Sequence, residues 1–67
     1  MVFTLKYNNI SESRDLPNEY YTIKDLIMDL GLSTQTVVSK QNDELVIEDT
    51  IINDGDEIKL IQIIYGG

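Results

Sequence analysis

Sixty-seven residues allow one small domain, with a single core two layers deep and no enclosed cavity for an active site. Twelve acidic against five basic residues give a net charge of −7, so nucleic acid and anionic membrane are poor partners and a basic docking face is the better fit. Cysteine and histidine are absent, which excludes disulfides, thiolate zinc sites and an imidazole base, and suits a domain held by packing in a reducing cytoplasm.

The first element is a strand over residues 2–7. Phe3, Leu5 and Tyr7 share one face and Thr4 and Lys6 the other, the period-two pattern of a half-buried strand. Asn8-Asn9 then offers two residues that tolerate the positive φ of a tight hairpin. The returning strand starts at Ile10, runs through the polar stretch 11–15 as a short exposed edge, and closes with Leu16 before the Pro17-Asn18 turn.

One helix is predicted over 22–30. Thr22 is a good N-cap, and Asp25 at the third helical position completes an approximate capping box. Tyr21 before the cap can staple onto Leu26. Ile23, Leu26, Ile27 and Leu30 make one apolar stripe, Lys24, Asp25 and Asp29 face water, and Gly31 ends the helix.

Residues 36–40 read as a strand on β-propensity, 41–44 as a turn, and 45–47 as a shorter strand. Residues 48–53 read as irregular, with Ile51 and Ile52 plugging the core. Asp54-Gly55-Asp56 is a tight turn, and the last strand runs from 57 or 58 to 64. This order makes an α+β domain, a mixed sheet of four to five strands with one helix across it. The strongly apolar last strand should lie centrally, parallel to the first. The predicted core is Phe3, Leu5, Ile23, Leu26, Ile27, Leu30, Val38, Ile58 and Leu60.

In that last strand Ile58, Leu60 and Ile64 share one parity, while Ile61, Ile63 and Tyr65 share the other. Either a β-bulge or loop cover hides the second set, or it forms a patch that docks a partner. The apolar run 60–65 is broken by Gln62 and is too short to span a membrane, and the N-terminus lacks a signal-peptide pattern.

Catalytic chemistry finds little purchase here. The serines have no histidine to activate them. Aligning Gly55 with the sixth place of a calcium loop puts Thr50, Ile52 and Ile61 at ligand places, and isoleucine cannot ligate calcium. No glycine-rich turn opens the helix. What remains is the C-terminal Gly66-Gly67, directly after an apolar strand. Two residues without Cβ form a thin arm able to enter a narrow slot in another enzyme, where its carboxylate could be activated with ATP.

With this element order, Asp54-Gly55-Asp56-Glu57-Ile58 leading into the last strand, and the diglycine, the whole chain resembles the ubiquitin-like β-grasp sulfur carriers of the ThiS/MoaD type, nearer to ThiS in length. The resemblance implies that residues 1–65 form the domain and 66–67 a flexible arm. It implies that the Gly67 carboxylate is adenylated by a ubiquitin-activating-type adenylyltransferase and becomes a thiocarboxylate, with Gly66 keeping the arm slim. The sulfur would then pass to an acceptor enzyme of thiamine, molybdopterin or tRNA-thiolation chemistry. The carrier itself would bind no cofactor and be no enzyme, ATP and the sulfur donor being used by its partner. Apart from the resemblance, the composition suits a cytoplasmic protein, monomeric when free. The second parity of the last strand suggests docking through Ile61, Ile63 and Tyr65, with surrounding acidic residues steering a basic partner; the family itself sets no expectation for Tyr65. Two alternatives stay open at this point. One is a ubiquitin-like modifier joined through Gly67 to lysines, the other a non-covalent interaction module.

Overall fold

Residues 1–63 are described by a computed structural model. Strand β1 (Val2–Tyr7) turns through Asn8 and Asn9, at φ 51° and 63°, into β2 (Ile10–Asp15), which it pairs antiparallel. Two consecutive left-handed residues give the tight hairpin that matches strand twist, and asparagine reaches that region more cheaply than other side chains. β2 lies at the sheet edge, is exposed over most of its length, and matches β1 at six residues.

Helix α1 (Ile23–Asp29) starts at the full capping box. The Thr22 hydroxyl accepts from the Asp25 N–H at 3.2 Å, and the Asp25 carboxylate accepts from the Thr22 N–H at 3.1 Å. At its other end Leu32 N–H donates to the Ile27 carbonyl and Gly31 N–H to that of Met28. These two bonds define a Schellman stop, and Gly31 at φ 74° supplies its left-handed residue.

Strand β3 (Val37–Gln41) and strand β4 (Glu44–Val46) form a second hairpin around Asn42 and Asp43, again both at positive φ. Strand β5 (Glu57–Gln62) follows the Asp54-Gly55-Asp56 turn, where Gly55 sits at φ 84°. The order is β2-β1-β5-β3-β4, with β5 central, parallel to β1 and antiparallel to β3. This is the mixed sheet with one helix that the sequence predicts. The far end of the predicted last strand, Ile64, lies outside the described residues, as do Tyr65, Gly66 and Gly67.

The core comprises Phe3, Leu5, Tyr21, Ile23, Leu26, Ile27, Val37, Ile52, Ile58 and Leu60. Tyr21 earns its place as an amphipathic residue, its ring 6.3 Å from that of Phe3 and its hydroxyl donating to Asp29 at 2.5 Å. Burial, together with that bond, pushes the Tyr21 hydroxyl well above its ordinary pKa.

Three core assignments need correction. Val38 is half-buried and faces outward, whereas Val37 is buried, because the β3–β5 register sets Val37 and Ser39 on the helix side opposite Gln62 and Leu60. Leu30 is the C-cap and packs on the core only partly, at the point where the chain turns away. Ile51 is exposed, while Ile52 is fully buried. Residues 50–52 run alongside 21–23, with Ile23 N–H donating to Thr50 and Ile52 N–H to Tyr21, so neighbouring side chains point opposite ways.

Candidate functional site

Strand β5 carries the candidate site, and the turn before it fixes its start. The Asp56 carboxylate accepts from Gln41 Nε2 at 2.6 Å, Asn42 Nδ2 at 3.0 Å and the Asn53 N–H at 2.8 Å. Partial burial pushes this carboxyl up, but those donors outweigh it and leave the pKa below its ordinary value. Asn42 also accepts from the Glu57 N–H at 2.9 Å, and Gly55 N–H donates to Val2 at 2.7 Å. The turn thereby ties β5 to β1 and to the β3–β4 hairpin before the strand crosses the sheet.

Along β5 buried and exposed residues alternate from Ile58 to Ile61, and Gln62, though on the parity of Leu60, is exposed. Residues 58–62 match residues 41–37 of β3 one for one, and Ile63 N–H donates to Thr36 in the same ladder. No bulge interrupts this pairing, so Ile58 and Leu60 are buried under α1 while Ile61 and Ile63 stand exposed at 39% each. Two of the three expected docking residues therefore share the uncovered side of the sheet. The third, Tyr65, lies outside the described residues, together with Gly66 and the expected attachment residue Gly67.

Register adds neighbours that strand-by-strand reading does not show. Val38 is paired with Ile61, and Lys59 is paired with Lys6 on one side and Lys40 on the other. The expected ring of acidic residues is not what borders Ile61. Glu57 reaches this face and bonds Lys6 at 2.6 Å, which holds the Lys6 ammonium above its ordinary pKa. Lys59 shares its parity with Ile61 in the sequence itself. Lys6 and Lys40 could be placed beside it only through pairings between distant segments.

An open groove of about 550 Å³ borders this face, lined by Tyr7, Asn8, Ile10, Lys59, Ile61 and Gln62 among others. It arises because β1 pairs with β5 only as far as Lys6 and Lys59 before its hairpin turns away. The Tyr7 hydroxyl donates to Gln62 Oε1 at 3.3 Å across it. Among the described residues no helix is long and apolar enough to cross a membrane, and no three acidic side chains converge to hold a metal ion.

The fold has a solved counterpart. A crystal structure of the thiamine biosynthesis protein ThiS from Geobacter metallireducens is similar to this chain with a TM-score of 0.69, at 22% sequence identity and over 100% of both chains. At that identity the likeness establishes a shared fold. The ThiS family model matches residues 3–67, nearly the full sequence and including both terminal glycines. The chain belongs to the ThiS family.

Proposed function

We propose that this chain is a sulfur carrier of thiamine biosynthesis, with Gly67 as the group that carries the sulfur. The observation that supports this most directly is the family match, which runs through Gly66 and Gly67. The thiamine pathway is suggested by the name of the solved structure that shares the fold. A ubiquitin-activating-type enzyme would bind the uncovered side of the sheet, placing the residues after β5 in its ATP site.

The chemistry follows from a bare carboxylate. A Gly67 carboxylate oxygen attacks the α-phosphorus of ATP and pyrophosphate leaves, giving an acyl-adenylate. A sulfide-level sulfur nucleophile then attacks the carbonyl carbon, the C–O bond to AMP breaks, and a thiocarboxylate remains. Its deprotonated sulfur is the nucleophile passed to the acceptor enzyme. The carrier supplies no acid, base or metal to these steps. It supplies a docking surface and a narrow terminus.

Gly66→Val tests the reading, because a β-branched side chain would enter a slot shaped for none. A misplacement of about 1 Å can cost on the order of 100-fold in rate. ATP–pyrophosphate exchange with the activating enzyme of the same genome should fall by that order, while the melting temperature stays put. Protein isolated from its native cells should also contain a species heavier by the exchange of one oxygen for sulfur. Exchange at the wild-type rate by a chain lacking Gly66 and Gly67 would refute the proposal. Larger covalent species in place of the thiocarboxylate would favour a protein modifier.

A further inference from the structure

The middle of the uncovered face carries a charge opposite to that of the molecule, with Asp15 at the far end of β2 and Glu57 at the start of β5 on the same face. Lys6, Lys59 and Lys40 are direct partners across β1, β5 and β3, so three of the five basic residues of a −7 chain stand in one row. Adjacent strands are about 4.8 Å apart, and like charges directly opposite one another destabilise a sheet. Glu57, and more weakly Asp43, offset this at Lys6. Among the described residues neither Lys59 nor Lys40 has a carboxylate within ion-pair distance. One register step along, Ile61 and Val38 form an apolar pair on the same face. The helix on the other side exposes Asp25 and Asp29.

A row of lysines held together at a cost to the fold is a local rule broken without any gain inside the domain. Such breaks are expected where a surface serves a partner. We propose that this face docks a protein surface presenting carboxylates opposite Lys6, Lys59 and Lys40, around an apolar contact that meets Ile61 and Val38. The proposal rests on the carrier reading for the identity of that partner, the adenylating enzyme, and adds the chemistry of the contact. The complement is acidic, the reverse of what the net charge alone suggests. A nucleic acid fits less well, since a long polyanion would also meet the surrounding excess of acidic residues. A protein contact needs complementarity only across the patch itself.

Lys59→Glu is the discriminating variant, because it moves stability and binding in opposite directions. Glu at position 59 would lie between Lys6 and Lys40, so the melting temperature should hold or rise. Calorimetric affinity for the adenylating enzyme should weaken about tenfold at about 0.1 M salt. The difference should shrink at about 1 M, where the screening length is only about 3 Å. Lys24→Glu, on the exposed side of α1, should change neither quantity. Wild-type or tighter binding by Lys59→Glu overturns the proposal, and if the unaltered protein still supports pyrophosphate exchange, the carrier reading survives it. Lys59-dependent binding of the enzyme without any exchange does the reverse, upholding the contact and removing the carrier reading. Binding of single-stranded polyuridine that depends on Lys59 would assign the row to nucleic acid and overturn the proposal.

Discussion

The two faces of the sheet are drawn from the same strands, residue by alternate residue, and they follow different rules. Toward α1 stand Phe3, Leu5, Val37, Ile58 and Leu60, all buried in one cluster with Ile23, Leu26 and Ile27. Away from it stand Lys6, Lys59, Lys40, Val38 and Ile61, where like charges oppose and apolar groups meet water. On the first face every choice agrees with the fold. On the second, Glu57 pairs with Lys6 and Val38 with Ile61, but Lys59 stands between two lysines, which is the choice the docking proposal addresses. Period two makes this division possible, because changing one face leaves the packing of the other in place.

The largest expected effect comes from breaking the covered face. Leu26 is fully buried at the middle of the helix stripe. Leu26→Ala should cost about 2–5 kcal/mol through lost transfer free energy and the cavity left behind. Stability for a domain this small lies near the low end of the usual range of about 5–15 kcal/mol, so much of it would go. Urea unfolding monitored by circular dichroism gives the measurement. A midpoint unchanged from the parent would mean that the helix–sheet interface does not hold the domain together.

A middling effect should follow from Asp56, whose turn serves both faces by fixing where β5 begins. Asp56→Ala leaves Asn42 Nδ2 and the Asn53 N–H without their acceptor and Gln41 Nε2 with the Ile51 carbonyl alone, at a cost of about 1–3 kcal/mol. The sign of its pH dependence follows from the depressed pKa. In the unfolded chain Asp56 takes up its proton near its ordinary value of about 3.9, whereas the folded protein resists protonation to lower pH. Its contribution is therefore complete above that ordinary value and fades as pH falls through the folded one. Melting temperatures across the acid range should drop less steeply for Asp56→Ala than for the parent. Parallel acid limbs would show that the carboxylate does not stabilise the turn.

How far the sequence foretold these faces depended on how local each signal is. The capping box at Thr22 and Asp25, the Gly31 stop, the Asn8-Asn9 hairpin and the Gly55 turn all lie within a few residues, and each was legible. So was the split parity of β5, which separates Ile58 and Leu60 from Ile61 and Ile63. The choice between Val37 and Val38 was not, because β-propensity treats adjacent valines alike and only pairing with β5 decides which faces α1. Ile51 and Ile52 differ for the same reason, their directions set by pairing with the segment before the helix. The basic row was hidden most deeply. Its three members come from strands far apart in sequence, and the net charge pointed the other way.

The smallest effect on stability, and the sharpest contrast with Leu26, is expected at Ile63. Its N–H donates to Thr36 at 2.7 Å whatever side chain it bears, and the side chain itself is 39% exposed. Ile63→Asp forfeits little buried area and some β-propensity, so stability should fall by no more than about 1 kcal/mol. Association with the adenylating enzyme proposed as its partner should suffer more. The substitution removes an apolar contact and adds a carboxylate where the partner is proposed to present its own. Ile63→Lys removes the same contact but carries the charge that an acidic partner prefers, so its loss should be the smaller of the two. Titration calorimetry with both variants, beside their melting curves, separates the contributions. Equal losses would reduce Ile63 to a purely apolar contact, and parent-like binding by both would place the interface elsewhere on the molecule.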